Sequence, residues 1–435
     1  MFLKSLSLKN FRCFEKFDIE FHDKLTVIVG VNGSGKSTIL EAAAISAGTL
    51  TTAFDGMTNY SIKKEDAHFK YFDVGSGVDV QPQYPVEISA VGEIDGEDIS
   101  WKRVLNKSTG RNSMASARDL TSVSEDYQQR LRNGDTTLVL PLIAYYGTGR
   151  LWAQHREKKD DTFSKNTRTN GYIDALDGAA NNKLMMKWFQ KMTVQQYQRN
   201  GNIPEFTVVC RAIEKCVASV TGYTDVSVEY NLDTDDLDLI YTVENERKRM
   251  PLSRLSDGYK CTISLIADIA YRMALLNPQL LNDVLEKTNG IVLIDEIDLH
   301  LHPQWQKRIL SDLTDIFPNI QFIVSTHAPS VINSVRSENL ILLDDGKARE
   351  PQGEVYGKDT NTIIKGIMQS TERPETVRKL FEKFYRSVEN QDLVSAKNII
   401  HEIERLIGND DSELAGCYVK LRLAGMKVKK SDKNQ

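Results

Sequence analysis

Apolar residues along this chain follow two spacings, and the change from one to the other marks out its parts. Leu3, Leu6 and Leu8, then Phe17, Ile19 and Phe21, recur close to every second position, as half-buried strands require. Residues 25–29 are a near-continuous apolar run, expected of a strand covered on both faces. The β-like pattern continues from 51 to 105, with 85–91 and 99–104 flanking an Asp95-Gly96 turn. Residues 106–118 are polar enough for an exposed loop. Another buried strand is expected over 138–146, ending at Gly147-Thr148-Gly149-Arg150, and the charged stretch 153–170 reads as mobile. Helical spacing then governs 182–199, through Leu184, Met185, Trp188, Phe189 and Met192, and 206–220. A strand pair is expected over 226–243. From 252 the elements alternate: helix 256–276, strand 291–294, helix 304–316, strand 321–324, then strand 340–343. That alternation predicts a parallel α/β sheet. The last stretch predicts helices at 374–388, 391–407 and 412–424, and no internal repeat is visible.

The chain has 435 residues, enough for two or three structural units, and a net charge of −5. No overall positive field recruits nucleic acid, so DNA binding would need a local basic groove. No apolar run approaches a membrane span and the opening residues lack the form of a signal peptide, so a cytoplasmic location without membrane contact is expected. Cysteines 13, 210, 216, 261 and 417 lack zinc spacing and are expected in a reduced core.

The most informative chemistry lies at Gly30-Val31-Asn32-Gly33-Ser34-Gly35-Lys36-Ser37, between the buried strand at 25–29 and a helix beginning near Thr38. Glycines there let backbone N–H groups curl around a phosphate, and the helix N-terminus adds positive potential. Lys36 would reach the β- and γ-phosphates, and the Ser37 hydroxyl would hold Mg²⁺. The pattern predicts binding of a nucleoside triphosphate, ATP with Mg²⁺. Asp295-Glu296, at the end of another buried strand, suits that loop: Asp295 would hold the metal through water, and Glu296 would polarise the attacking water. Ser256-Asp257-Gly258 opens a long amphipathic helix, with Ser256 placed to cap it and Gly258 permitting close backbone approach. His300 and His302 alternate, but no third and fourth ligand lies nearby, so packing or helix entry is expected of them rather than a metal. Lys427, Lys429 and Lys430 read as a solvated basic tail.

The order phosphate loop, Leu255-Ser256-Asp257-Gly258-Tyr259, Asp295-Glu296, Ser325-Thr326-His327 resembles an ABC-type ATPase head. The fold class implied is α/β: a mixed β lobe plus a parallel sheet with the phosphate loop, an inserted helical lobe and a C-terminal helical tail. The head would occupy 1–345, with 51–250 holding the β extension and helical lobe, and 346–435 would be a helical interaction region. In such heads two copies sandwich two nucleotides. The resemblance therefore implies that Ser256 and Gly258 act on the partner copy's γ-phosphate, that Asp298 lies in the D-loop and that His327 contacts the γ-phosphate. Asp257 and Tyr259 depart from the usual glycine and glutamine. The span from Lys36 to Ser256 is too long for a transporter head, and Leu8-Lys9-Asn10-Phe11-Arg12 resembles the RecF/Rad50/SMC branch, where such an arginine lies near the nucleotide. The long coiled-coil arms of Rad50 and SMC proteins have no counterpart in a heptad run. That branch carries a glutamine near 146–150, absent here, with Thr148 and Arg150 as the polar residues at hand.

A narrower resemblance rests on 143–152, on 171–177 with Trp188-Phe189 beyond it, and on 295–303. These segments are similar to the anti-phage ATPases of Septu (the PtuA family) and retron systems. It implies an ATPase, self-paired head to head or in larger rings, that gates a separately encoded HNH-type nuclease. The overcoming-lysogenisation nucleases share such a head but add a Toprim domain, and no Asp-x-Asp pair follows His327. Two alternatives stay open: a RecF/Rad50-like clamp on DNA, and a scaffold that ATP merely glues together.

Overall fold

The computed structural model describes residues 1–57, 60–110, 112–150, 167–178, 182–366 and 373–431. Most of the charged stretch 153–170, with Leu151 and Trp152 before it, lies outside these residues, as do the side chains of the basic tail. The chain separates into two compact units, Met1–Ile363 and Ile364–Gln435.

In the first unit, β1 (Phe2–Phe11) and β2 (Phe14–Glu20) form a hairpin, and β3 (Leu25–Gly30) leaves it to enter a second sheet and run into α1 (Lys36–Ala47). After the exposed hairpin β4 (Phe69–Val74) and β5 (Gly77–Pro82), β6 (Val86–Ile94) and β7 (Glu97–Leu105) complete an antiparallel sheet ordered β2-β1-β6-β7. Helix α2 (Arg118–Arg132) begins at the end of the segment read as a loop. Its buried face carries Leu120, Ser124 and Tyr127, and Ser124 donates to the Leu50 carbonyl, so few apolar residues mark the helix in the sequence.

Next come β8 (Leu142–Tyr146), the helices α3 (Asn182–Arg199) and α4 (Pro204–Thr221), and a three-stranded sheet of β9 (Thr224–Asn231), β10 (Asp236–Val243) and β11 (Glu246–Pro251). Trp188 and Phe189 of α3 are buried edge-on against Phe206, so this aromatic face is core. Helix α5 (Asp257–Leu276) follows, then β12 (Gly290–Ile294), β13 (Ile320–Thr326), β14 (Leu340–Asp344) and β15 (Lys347–Arg349). Strand β8 starts at Leu142 rather than 138: Pro141 has no N–H for a ladder, and Leu140 N–H donates to Asn277 Oδ1 instead, at 2.8 Å. The helix expected at 304–316 is two pieces, Pro303–Gln306 and Ile309–Ile316, separated at Lys307-Arg308.

The main sheet has the order β15-β14-β3-β13-β12-β8, with β14, β3, β13, β12 and β8 parallel. Strands β3, β8, β12 and β13 are buried nearly throughout, which is why they read as unbroken apolar runs. Register puts Tyr146, Ile294, Val324 and Val27 level, so the residues after them emerge on one edge. Gln321 joins the two sheets: its amide donates to the carbonyls of Leu3 and His22, at 2.8 and 2.9 Å, and its Oε1 accepts from Leu3 N–H at 2.7 Å. Gly290 fits β12 against β8 only because it lacks a side chain. Its φ is +152°, and a Cβ there would lie 2.0 Å from the Leu142 carbonyl oxygen. Gly290→Ala is expected to cost about 2–3 kcal/mol, read as a lower urea midpoint.

The second unit packs helices Glu375–Glu389, Leu393–Ile407 and Ser412–Ser431 around Phe381, Phe384, Ile400, Ile403 and Leu414. Asp392 caps the middle helix by accepting from Ser395 N–H at 3.0 Å. Arg373, just before the first of these helices, makes ion pairs to Asp411 and Glu413 at the start of the third, at 2.9 and 3.1 Å, its guanidinium 4.6 Å above the Phe381 ring.

Candidate nucleotide site

The loop after β3 is held open by glycine geometry. Gly33 and Gly35 have φ of +83° and +101°, which side-chain-bearing residues rarely adopt. A Cβ on Gly35 would sit 2.4 Å from the Phe14 ring and 3.0 Å from Cys13 Sγ, so the β1–β2 hairpin braces the loop from outside. Asn32, Gly33 and Ser37 are exposed on its rim and Thr38 is half-buried. Lys36 is buried and its ammonium donates to the carbonyls of Gly30 and Val31, at 2.8 and 3.1 Å. Burial pushes the Lys36 ammonium below its ordinary value, and the nearby Asp295, Glu296 and Asp298 pull it back up. Gly35→Ala is expected to weaken nucleotide binding about tenfold to a hundredfold in a fluorescent-ATP titration.

The neighbouring strand ends supply the carboxylates. Asp295 is buried, its N–H donates to the Tyr146 carbonyl at 2.8 Å, and its Oδ1 accepts from the Ser325 hydroxyl. Glu296 is half-buried with φ of +47°, and its N–H donates to Ser325 Oγ at 2.8 Å. Asp298 accepts from the Thr326 hydroxyl and faces His327 Nε2 at 3.7 Å. Among the described residues two polar atoms here are buried without a partner, Ser34 Oγ and His327 Nδ1. A phosphate at the loop fits both, because it offers acceptor oxygens to a hydroxyl and an imidazole. Among the described residues no group of three or more His, Cys, Asp or Glu could hold a metal ion alone. Such a set still suits Mg²⁺, which takes one or two protein oxygens and completes its shell from phosphate and water.

Arg12 lies beside the loop helix: its Nε donates to Asp66 at 2.8 Å and its other terminus to Glu41 of α1. Both ends are therefore engaged by carboxylates. Ser256 stands at the N-cap position of α5 and is exposed, but its side chain makes no cap hydrogen bond, contrary to the expected capping. Gly258 permits close approach of the chain's own backbone. A Cβ there would meet the His300 carbonyl oxygen at 2.7 Å, and Tyr259 packs edge-on to Trp305 at 4.1 Å. His302 enters the helix at Pro303 as its cap, accepting from Gln304 N–H at 3.4 Å.

Two residues carry more of the site than their local sequence signals. Ser325 links Asp295 to Glu296. Arg150, buried, donates to the carbonyls of Asp295 and Glu296, at 2.7 and 2.8 Å. The signal available was a lone arginine just past a buried strand. Cys13 also departs from the expected core position, being exposed where the other four cysteines are buried. Burial pushes the Cys210 and Cys216 thiols up to about 12, which leaves them unreactive at neutral pH. Alkylation of the native protein is expected to modify Cys13 first, and bound nucleotide to slow it, since Cys13 Sγ lies 3.9 Å from Thr38 Oγ1. Peptide mass mapping reads both.

A parallel sheet with a phosphate loop at its carboxyl edge, acids at the end of β12 one strand beyond β13, and an antiparallel lobe beside it have the layout of an ABC-type head. Residues 5–207 match the family model described as an AAA domain. The chain is 28% identical to the retron Vc95 probable ATPase of Vibrio cholerae serotype O1 biovar El Tor, over 88% of this chain and 82% of that protein. It is 25% identical to Septu protein PtuA of Bacillus thuringiensis, over 97% of this chain and 93% of that one. Among solved structures, an Smc head bound to the C-winged helix domain of ScpA aligns over 82% of this chain and 99% of that one, at 17% identity and a TM-score of 0.46. No described helix is long and apolar enough to cross a membrane.

Proposed function

We propose that two copies of this chain clamp Mg·ATP between them, hydrolyse it, and use the cycle to control a separately encoded HNH-type nuclease in antiviral defence. Residues 30–38 would cradle the triphosphate. Ser256 and Gly258 would close on it from the partner copy. The observation that carries this reading is the convergence of the Lys36 loop, Asp295, Glu296 and His327 at the carboxyl edge of one sheet, while the Ser256 segment stands exposed. Among the described residues no hydrogen bond or ion pair joins 256–258 to the loop of the same chain.

Glu296 would position water for in-line attack on the γ-phosphate, and Lys36 with the loop amides would balance the developing charge. Ser37 and Asp295 would hold Mg²⁺, which supplies further positive charge to the phosphate oxygens. His327, held toward Asp298, would register the γ-phosphate. Asp298 would lie where the copies meet. Arg12 would act through α1, which it braces at Glu41.

Likeness to the retron and Septu proteins supports the defence role and the nuclease partner. Purification of the tagged chain from cells carrying its neighbouring reading frames tests it. An HNH-type nuclease is expected to copurify. A chain that comes alone, with hydrolysis stimulated by duplex DNA, would favour the DNA clamp instead.

A further inference from the structure

We infer that Arg150 is the positioning residue of the hydrolytic site: its guanidinium fixes the Glu296 peptide and thereby aims the carboxylate. This rests on the reading of Glu296 above. Glu296 has a left-handed backbone, φ +47°, which a glutamate adopts only when its surroundings hold it there. Two groups do so from opposite sides. Ser325 Oγ accepts the Glu296 N–H at 2.8 Å. Arg150 donates from one terminal nitrogen to the Asp295 carbonyl at 2.7 Å and from the other to the Glu296 carbonyl at 2.8 Å.

The side chain is 4% exposed, and the first of those nitrogens also reaches the Gly147 carbonyl at 3.2 Å. The chain between Gly147 and Arg150 is thereby closed into a turn, with Arg150 N–H donating to the Gly147 carbonyl at 3.2 Å. Among the described residues this guanidinium donates to backbone carbonyls and forms no ion pair. A planar fork of donors matches two successive carbonyls, which a single ammonium cannot do. Arg150 follows β8, the strand beside β12, so it reaches the Asp295-Glu296 turn from the adjacent strand end.

Arg150→Ala and Arg150→Lys, measured beside Glu296→Gln, test the inference. Arg150→Ala is expected to lower kcat about a hundredfold while ATP affinity stays within a few-fold of the parent, because the loop is untouched. Arg150→Lys is expected to fall between them, and free guanidinium to restore part of the Arg150→Ala rate. Should Arg150→Ala fold poorly, Arg150→Lys, which keeps stem and charge, still reads a loss in kcat, smaller than a hundredfold, at unchanged ATP affinity. Unchanged kcat in both variants while Glu296→Gln is inactive would overturn the assignment. So would an affinity loss that accounts for the whole effect. Undiminished turnover in Glu296→Gln would bring down the reading beneath it.

Discussion

Glutamine at position 296 is expected to stop turnover while leaving ATP bound. The substitution keeps the shape and most hydrogen bonds of the side chain but removes the acceptor that polarises water. A general base contributes about 10²–10⁴-fold, so phosphate release should fall by that factor. In barrier height this is roughly 3–5 kcal/mol. Lys36 and the glycine loop are unaffected, so nucleotide affinity should hold, and an unhydrolysed triphosphate should keep two copies together. Steady-state phosphate release with sedimentation in ATP measures both. Normal turnover would remove Glu296 from the mechanism.

Removing the Asp268 carboxylate should destabilise the head more than any other substitution considered. Asp268 lies in the middle of α5, fully buried, and accepts from the Tyr146 hydroxyl at 2.8 Å and from Arg272 Nε at 2.7 Å. Arg272 also donates to the carbonyls of Gly171 and Ile173, at 2.9 and 2.8 Å. Burial raises the Tyr146 phenol well above its ordinary value, and the Asp268 charge adds to that. For Arg272 burial acts the other way, but the Asp268 carboxylate prevails and holds it charged. Asp268→Ala leaves that guanidinium buried without its anion, which costs about 3–5 kcal/mol. Urea unfolding should show the loss, and Asp268→Leu with Arg272→Met should recover much of it, because the pair's desolvation is then removed with it. Equal midpoints for parent and Asp268→Ala would mean the triad contributes nothing. The triad also has a geometric consequence. Tyr146 receives the Asp295 N–H through its carbonyl, so one residue ties the helix that begins at the Ser256 segment to the strand end bearing Glu296.

The parts of the site most legible in the sequence were those whose physics is local. A buried run, a glycine loop and a helix start follow each other from 25 to 40, and backbone geometry alone demands that order. Asp295-Glu296 was visible because a buried strand must end where its acids begin. What could not be read depends on contacts between distant segments. Arg150 and Glu296 are far apart in sequence, and nothing near either one says that a guanidinium will clasp those carbonyls. Asp268 and Arg272 did leave a trace: charges one helical turn apart on the apolar face of α5. Gly258 was legible as a residue needing closeness, but nothing near it in sequence says that one close neighbour is the chain's own His300 carbonyl. Helix α2 escaped notice because a serine, satisfied by a carbonyl seventy-four residues away, sits in its buried stripe.

Subunit complementation tests the shared nucleotide most directly. Lys36→Ala removes the cradle and Ser256→Arg obstructs the segment that closes over the partner's triphosphate, so each variant alone should be inactive. Mixed together, the two should regain about a quarter of the parent rate, since random exchange makes half the dimers mixed and each mixed dimer has one complete site. Full activity in Ser256→Arg alone, or a mixture as inactive as its components under conditions where mass spectrometry shows that copies exchange, would contradict a triphosphate held between two copies.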